Sequence, residues 1–183
     1  MSVEAIPGGK RRIDRVLDPR FVAGVDGLEL RELRARRAEA EAEEESVSYL
    51  RRMLQGRIDI MRAELERRRS LPGARDVSGL VAALPAILSD AKPSGFDAMP
   101  KIRMPLGNGK PRRRLERLVS DETIARLPEL DVDELARAVE DLSREEEAVS
   151  ANRQAVQRVV DLLRGELARR YRDGSASVAQ LLE

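Results

Sequence analysis

Between residues 47 and 65 the apolar side chains Val47, Leu50, Leu54, Ile58, Met61 and Leu65 follow a 3-4-4-3-4 spacing. At about 3.6 residues per turn, that spacing lays them in one stripe along a helix. After an offset of 102 residues the same spacing returns as Val149, Asn152, Val156, Val160, Leu163 and Leu167. A single amphipathic helix is marginal in water, because its stability comes mainly from packing its apolar face. Two matching stripes therefore predict that the second helix folds back antiparallel on the first and that the stripes form the seam. Asn152 is the polar member, of the kind that sets register in coiled coils.

Helix signals begin near Asp26, where Asp26 and Glu29 have capping-box spacing, and end at Leu71-Pro72-Gly73. They resume near Asp131, with Glu134 three residues on, and stop at Gly174. The fold class expected is all-α: a long antiparallel two-helix coiled-coil hairpin. Its parts are a flexible N-terminal arm over residues 1–25, helix 1 over 26–71, a Pro/Gly-rich linker over 72–128, helix 2 over 129–174 and a tail over 175–183. Within the linker, Val77 to Leu88 predict a short helix over about 77–89, and Lys101 to Arg117 form a basic stretch.

Composition supports long helices over a compact core: 37% of residues are charged and 2% aromatic. Lys and Arg number 34 against 33 Asp and Glu, for a net charge of +1, so bulk charge does not make the chain a nucleic-acid binder. There is no Cys, hence no disulfide framework or thiolate metal site, and no His, the commonest metal ligand and usual general base near neutral pH. An enzyme is not expected, and neither is a metal. No apolar run approaches the length of a membrane span and the N-terminus lacks an apolar signal core, so the expected location is the cytoplasm.

The duplication keeps polar residues as well. Residues 44–59 and 146–161 agree at Glu44/Glu146, Glu45/Glu147, Val47/Val149, Ser48/Ser150, Arg51/Arg153, Gln55/Gln157 and Asp59/Asp161. The match extends from Leu28/Leu130 to Glu64-Leu65-x-Arg67-Arg68, which returns as Glu166-Leu167-x-Arg169-Arg170. Glu44, Ser48, Arg51, Gln55 and Asp59, with Glu146, Ser150, Arg153, Gln157 and Asp161, follow a 4-3-4-4 spacing and make a second stripe beside the seam. On antiparallel helices two identical stripes form one pseudo-symmetric polar surface, suited to a two-fold symmetric ligand. By spacing alone a solvated face copied by duplication explains these residues. Ser48/Ser150 and Asp59/Asp161 argue further, since neither type is a good helix former in mid-helix. Gly56 also lies mid-helix, opposite Arg158 in the repeat, with no role assigned.

An ionised Asp accepts hydrogen bonds and can bind the N1–H and N2–H₂ edge of guanine, while Arg forks onto guanine O6 and N7 or onto phosphate. An Arg–Asp pair repeated twice thus fits a ligand carrying two guanines. The ten residues sum to a net charge of −2, leaving Arg52, Arg57, Arg62, Arg158 and Arg164 to supply a positive field.

The spacing E-x3-S-x2-R-x3-Q-x3-D resembles the signature of the RsiG family of actinobacterial anti-sigma factors, and it occurs here twice without a mismatch. Ser48-Tyr49-Leu50-Arg51-Arg52, Leu54-Gln55-Gly56-Arg57 and Arg15-Val16-Leu17-Asp18-Pro19 are also similar to the family. The resemblance, to the two-motif members of the Streptomyces type, implies an antiparallel hairpin that acts as one copy. It also implies a cyclic di-GMP dimer, two molecules per chain, held on the ten motif residues. The partner implied is a WhiG/flagellar-type sigma factor, kept in a 1:1 complex away from RNA polymerase so that sporulation genes stay repressed. Candidate sigma contacts are Val77–Leu88, the arm around Val16–Phe21 and the outer helix faces. The alternative is a coiled-coil adaptor without a ligand; a third reading, nucleic-acid binding by Lys101–Arg117, lacks stacking aromatics.

Overall fold

The computed structural model describes residues 9–70 and 126–174. In chain order these form helix α1 (Arg12–Val16), 3₁₀ turns at Pro19–Phe21 and Val25–Gly27, helix α2 (Leu30–Ser70) and helix α3 (Val132–Arg172). Among the described residues there is no strand, and the fold is all-α, a helical hairpin. The linker helix about 77–89, the basic stretch 101–117 and the tail 175–183 lie outside the described residues.

The chain divides into two compact units, and the boundary crosses α2 after Leu50 and α3 after Glu147. Of the described residues, the linker-side unit comprises 51–70 and 126–147, and the arm-side unit 9–50 and 148–174. In the linker-side unit α2 runs antiparallel to α3: Gln55 meets Glu146, Arg62 meets Ser143, and Arg68 reaches the carbonyls of Leu130 and Leu127. In the arm-side unit Ser48 meets Arg153, Glu41 meets Arg164 and Arg34 meets Tyr171, again with one index rising as the other falls.

Apart from half-buried Leu50, the apolar stripes are the buried faces. Leu54, Ile58, Met61 and Leu65 are buried in the linker-side unit with Leu127, Leu135, Val139 and Leu142. Leu33, Ala40, Val47, Val149, Val156, Val160, Leu163 and Leu167 are buried in the arm-side unit, where Asn152 is buried too. Each fully buried Leu or Met contributes about 1.5–3 kcal/mol through removal of apolar surface from water.

The helix ends show which local signals operate. Before α3, Asp131 Oδ1 accepts from the Glu134 amide at 2.7 Å, and Glu134 Oε2 accepts from the Asp131 amide at 2.9 Å, a reciprocal capping box. After α3, Gly174 adopts φ +72°, which an L side chain would resist. The start of α2 differs from the sequence expectation. Asp26 does not cap it: Asp26 lies in the Val25–Gly27 turn, and the first helical hydrogen bond runs from the Leu33 amide to the Glu29 carbonyl. The reason is long-range. The Arg170 guanidinium donates to the carbonyls of Val25, Asp26 and Leu28, holding that segment out of the helix.

The arm also differs from the flexible lead expected over residues 1–25. From residue 9 onward it is folded, with Val16 completely buried. Arg12 Nε donates to Glu43 Oε2 at 2.6 Å, Arg15 donates to Glu39, and Arg36 Nη1 donates to the Phe21 carbonyl at 2.8 Å while its guanidinium lies 5.9 Å from the Phe21 ring. Acids on one face of α2 thus take the arginines of α1, and Val16 loses its water; neither half of that arrangement is visible in the arm's own Gly- and Pro-containing sequence.

Candidate ligand-binding site

The repeated polar residues fall into two sets, one in each unit. In the linker-side unit α2 contributes Arg51, Gln55 and Asp59, and α3 contributes Glu146. All four are half-buried. Gln55 Nε2 donates to Glu146 Oε1 at 3.0 Å, and Arg51 Nη1 stands 4.0 Å from the same oxygen. Arg51 Nε is buried and, among the described residues, has no hydrogen-bond partner. A buried donor left unmade costs about 1–3 kcal/mol, a cost that an acceptor brought to it would relieve.

In the arm-side unit α2 contributes Glu44 and Ser48, and α3 contributes Ser150, Arg153, Gln157 and Asp161. The Ser48 hydroxyl donates to Glu44 Oε1 at 2.7 Å, Arg153 Nε donates to Ser48 Oγ at 3.0 Å, and Arg153 Nε lies 3.5 Å from Glu44 Oε1. Ser150 is half-buried, while Gln157 and Asp161 are exposed. The structure therefore brings Glu44, Ser48 and Arg153 together, and Arg51, Gln55 and Glu146 together. Asp59 and Asp161 stand apart from these hydrogen bonds.

Among the arginines expected to supply a positive field, Arg52, Arg62, Arg158 and Arg164 are exposed. Arg62 donates to Ser143 and Arg164 to Glu41. Arg57 is buried, so its positive charge is screened by water less than those of the exposed arginines.

Within each unit a half-buried motif guanidinium, Arg51 in one and Arg153 in the other, can donate to an acceptor oxygen. Half-buried guanidinium groups strengthen charge-assisted hydrogen bonds relative to solvent, the unspent Arg51 Nε seeks an acceptor, and the Asp carboxylates can accept from N–H groups. Among the described residues, no group of acidic side chains is placed to hold a metal ion.

A second repeated arrangement was present in the sequence as a match without a role. In the linker-side unit Arg68 Nε donates to Glu64 Oε1 at 2.5 Å, Nη1 to the Leu130 carbonyl and Nη2 to the Leu127 carbonyl at 2.6 Å. In the arm-side unit Arg170 Nε donates to Glu166 Oε1 at 2.7 Å, Nη1 to the Leu28 carbonyl and Nη2 to the Val25 carbonyl at 2.9 Å. Each arginine thus clamps the lead-in of the opposite helix, satisfying carbonyls that precede its first turn. Burial pushes the Glu64 carboxyl up, but hydrogen bonds from Arg67 and Arg68 outweigh it and hold it below its ordinary value. Hydrogen bonds from Arg169 and Arg170 bring Glu166 down to about 2. Repetition of a Glu-x-x-x-Arg pair at the end of both helices was the available signal.

Among the described residues, no helix is long and apolar enough to cross a membrane. No curated protein gives a significant match to the chain. The model of the RsiG-like family matches residues 19–88 and 121–183, well over half of the sequence, including both long helices and all ten repeated polar positions. The chain belongs to the RsiG-like family.

Proposed function

We propose that this chain is an anti-sigma factor whose paired motifs bind a cyclic di-GMP dimer and that in this state it sequesters a WhiG/flagellar-type sigma factor from RNA polymerase, repressing sporulation genes. Family membership supports the anti-sigma role. The observation that carries the ligand is that side chains from both motif copies meet within each unit of one chain, Gln55 on Glu146 in one and Arg153 on Ser48 in the other. A single chain then offers two half-sites. Arg51 and Arg153 supply forks for guanine O6/N7 or phosphate, and Asp59 and Asp161 supply acceptors for the guanine N1–H and N2–H₂ edge.

If the ligand fixes the conformation that sigma recognises, the two affinities are linked and each strengthens the other by the same factor, typically about 1–3 kcal/mol. Calorimetric titration of the purified chain with cyclic di-GMP, with and without the sigma factor, tests this directly. Saturable binding near two molecules per chain, tighter with sigma and lost in Arg51→Ala/Arg153→Ala, is the expected result. An absence of binding even with sigma present removes the ligand and leaves a coiled-coil adaptor.

A further inference from the structure

Each motif opens with a glutamate, and a carboxylate is a poor neighbour for a phosphate. The structure gives that residue a specific occupation. Glu44 Oε1 accepts from the Ser48 hydroxyl and lies 3.5 Å from Arg153 Nε. Glu146 Oε1 accepts from Gln55 and lies 4.0 Å from Arg51 Nη1. In the arm-side unit Glu44 Oε1 thus takes the Ser48 hydroxyl and stands near Arg153, and in the linker-side unit Glu146 Oε1 takes the Gln55 amide and stands near Arg51, all of them groups that an incoming anion needs. Glu45 and Glu147, the adjacent acids, are exposed.

We infer that Glu44 and Glu146 are built-in counter-anions: they hold the motif donors in place without ligand and must be displaced by a phosphate-bearing guanine nucleotide. The inference rests on the ligand reading above. A carboxylate and a phosphate cannot share the same donors without like-charge repulsion, so the glutamates set the nucleotide concentration at which the site fills. They also order half-buried arginines that would otherwise stand uncompensated. This accounts for the excess of acid in the motif, which by charge alone argues against an anionic ligand.

The test compares the full chain with Glu44→Gln/Glu146→Gln and with the control Glu45→Gln/Glu147→Gln, by calorimetric titration with cyclic di-GMP and by thermal melting. Removing the competing carboxylates should tighten binding about tenfold, the size of one charge-assisted hydrogen bond no longer competed for. The same variant should melt lower without ligand and gain more from it than wild type. The control should change affinity less, reporting only bulk charge. Binding that is intact in wild type but unchanged or weaker in Glu44→Gln/Glu146→Gln overturns the counter-anion and makes the glutamates bystanders or direct ligand contacts. Binding absent from both wild type and variant overturns it together with the ligand reading.

Discussion

The linker-side and arm-side units carry repeat counterparts at an offset of 102, Arg51 with Arg153 and Glu64 with Glu166 among them, yet put them in different states. Glu64 and its counterpart Glu166 each take two arginines, but the Glu64 side chain is 0% exposed and that of Glu166 is 10%. Arg153 spends its Nε on Ser48, while the Nε of its counterpart Arg51 has no hydrogen-bond partner among the described residues. Duplication copies side chains, but the neighbours on each side decide how solvated, paired or strained each copy becomes.

The largest effects should come from the clamps. Arg68→Ala removes one of the partners of a buried carboxylate and uncovers the carbonyls of Leu127 and Leu130, so it should cost about 3 kcal/mol, the lower end for breaking a buried charge pair, since Arg67 remains on Glu64. Arg170→Ala opens an equivalent clamp to which water has access, and should cost less. Urea unfolding of the two variants orders them; equal losses would mean that burial does not separate the units.

Next come the motif arginines. Arg153→Ala breaks a hydrogen bond and should destabilise the free chain by about 1 kcal/mol, whereas Arg51→Ala removes an unsatisfied donor and should leave stability within about 0.5 kcal/mol. Both should weaken cyclic di-GMP binding by about 1–3 kcal/mol, as should Asp59→Ala and Asp161→Ala through loss of guanine contacts. Melting curves paired with calorimetric titration separate the two readouts. If Arg51→Ala destabilises as much as Arg153→Ala, the half-sites are equivalent without ligand and the contrast between them fails.

Acid titration gives a smaller and more specific difference. Glu166 has its carboxyl lowered from the ordinary 4.5 to about 2, so the folded state favours the carboxylate. Its contribution is fully present above the unfolded value and is lost as pH falls from about 5 towards 2. Glu64 is also lowered, but burial opposes its arginines. Glu166→Gln should therefore flatten the acid limb of the stability profile more than Glu64→Gln does, as read from melting temperatures between pH 7 and pH 2.

The same contrast explains what could be read from the chain. The seam was legible because apolar spacing is a local, repeated signal, and so was the start of α3, where Asp131 and Glu134 cap each other three residues apart. Asp26 has the same local spacing and does not cap, because Arg170, 144 residues away, claims its carbonyl. Glu43, Glu64 and Arg68 are buried charges, and a charge looks like surface until its distant partner is known. The motif stripe was visible as spacing. Which donor each glutamate holds was not, because Glu44 and Glu146 are identical in sequence pattern and differ only in what folds beside them.

Gly56 offers the smallest test and the sharpest one. It sits inside α2, and a Cβ added there would meet nothing within 4 Å among the described residues. Its counterpart Arg158 is exposed on α3, where the helix carries a full side chain without difficulty. Gly56→Ala should therefore stabilise the free chain by about 0.5–1 kcal/mol, by removing backbone freedom from the unfolded state, and raise its melting temperature. Gly56 also follows Gln55, so the same variant asks whether the linker-side half-site needs the space. A stabilised variant with unchanged cyclic di-GMP affinity makes Gly56 neutral to the site. A stabilised variant that binds more weakly means that the bound nucleotide uses the space at Gly56, and that the two half-sites differ in shape as well as in hydrogen bonding.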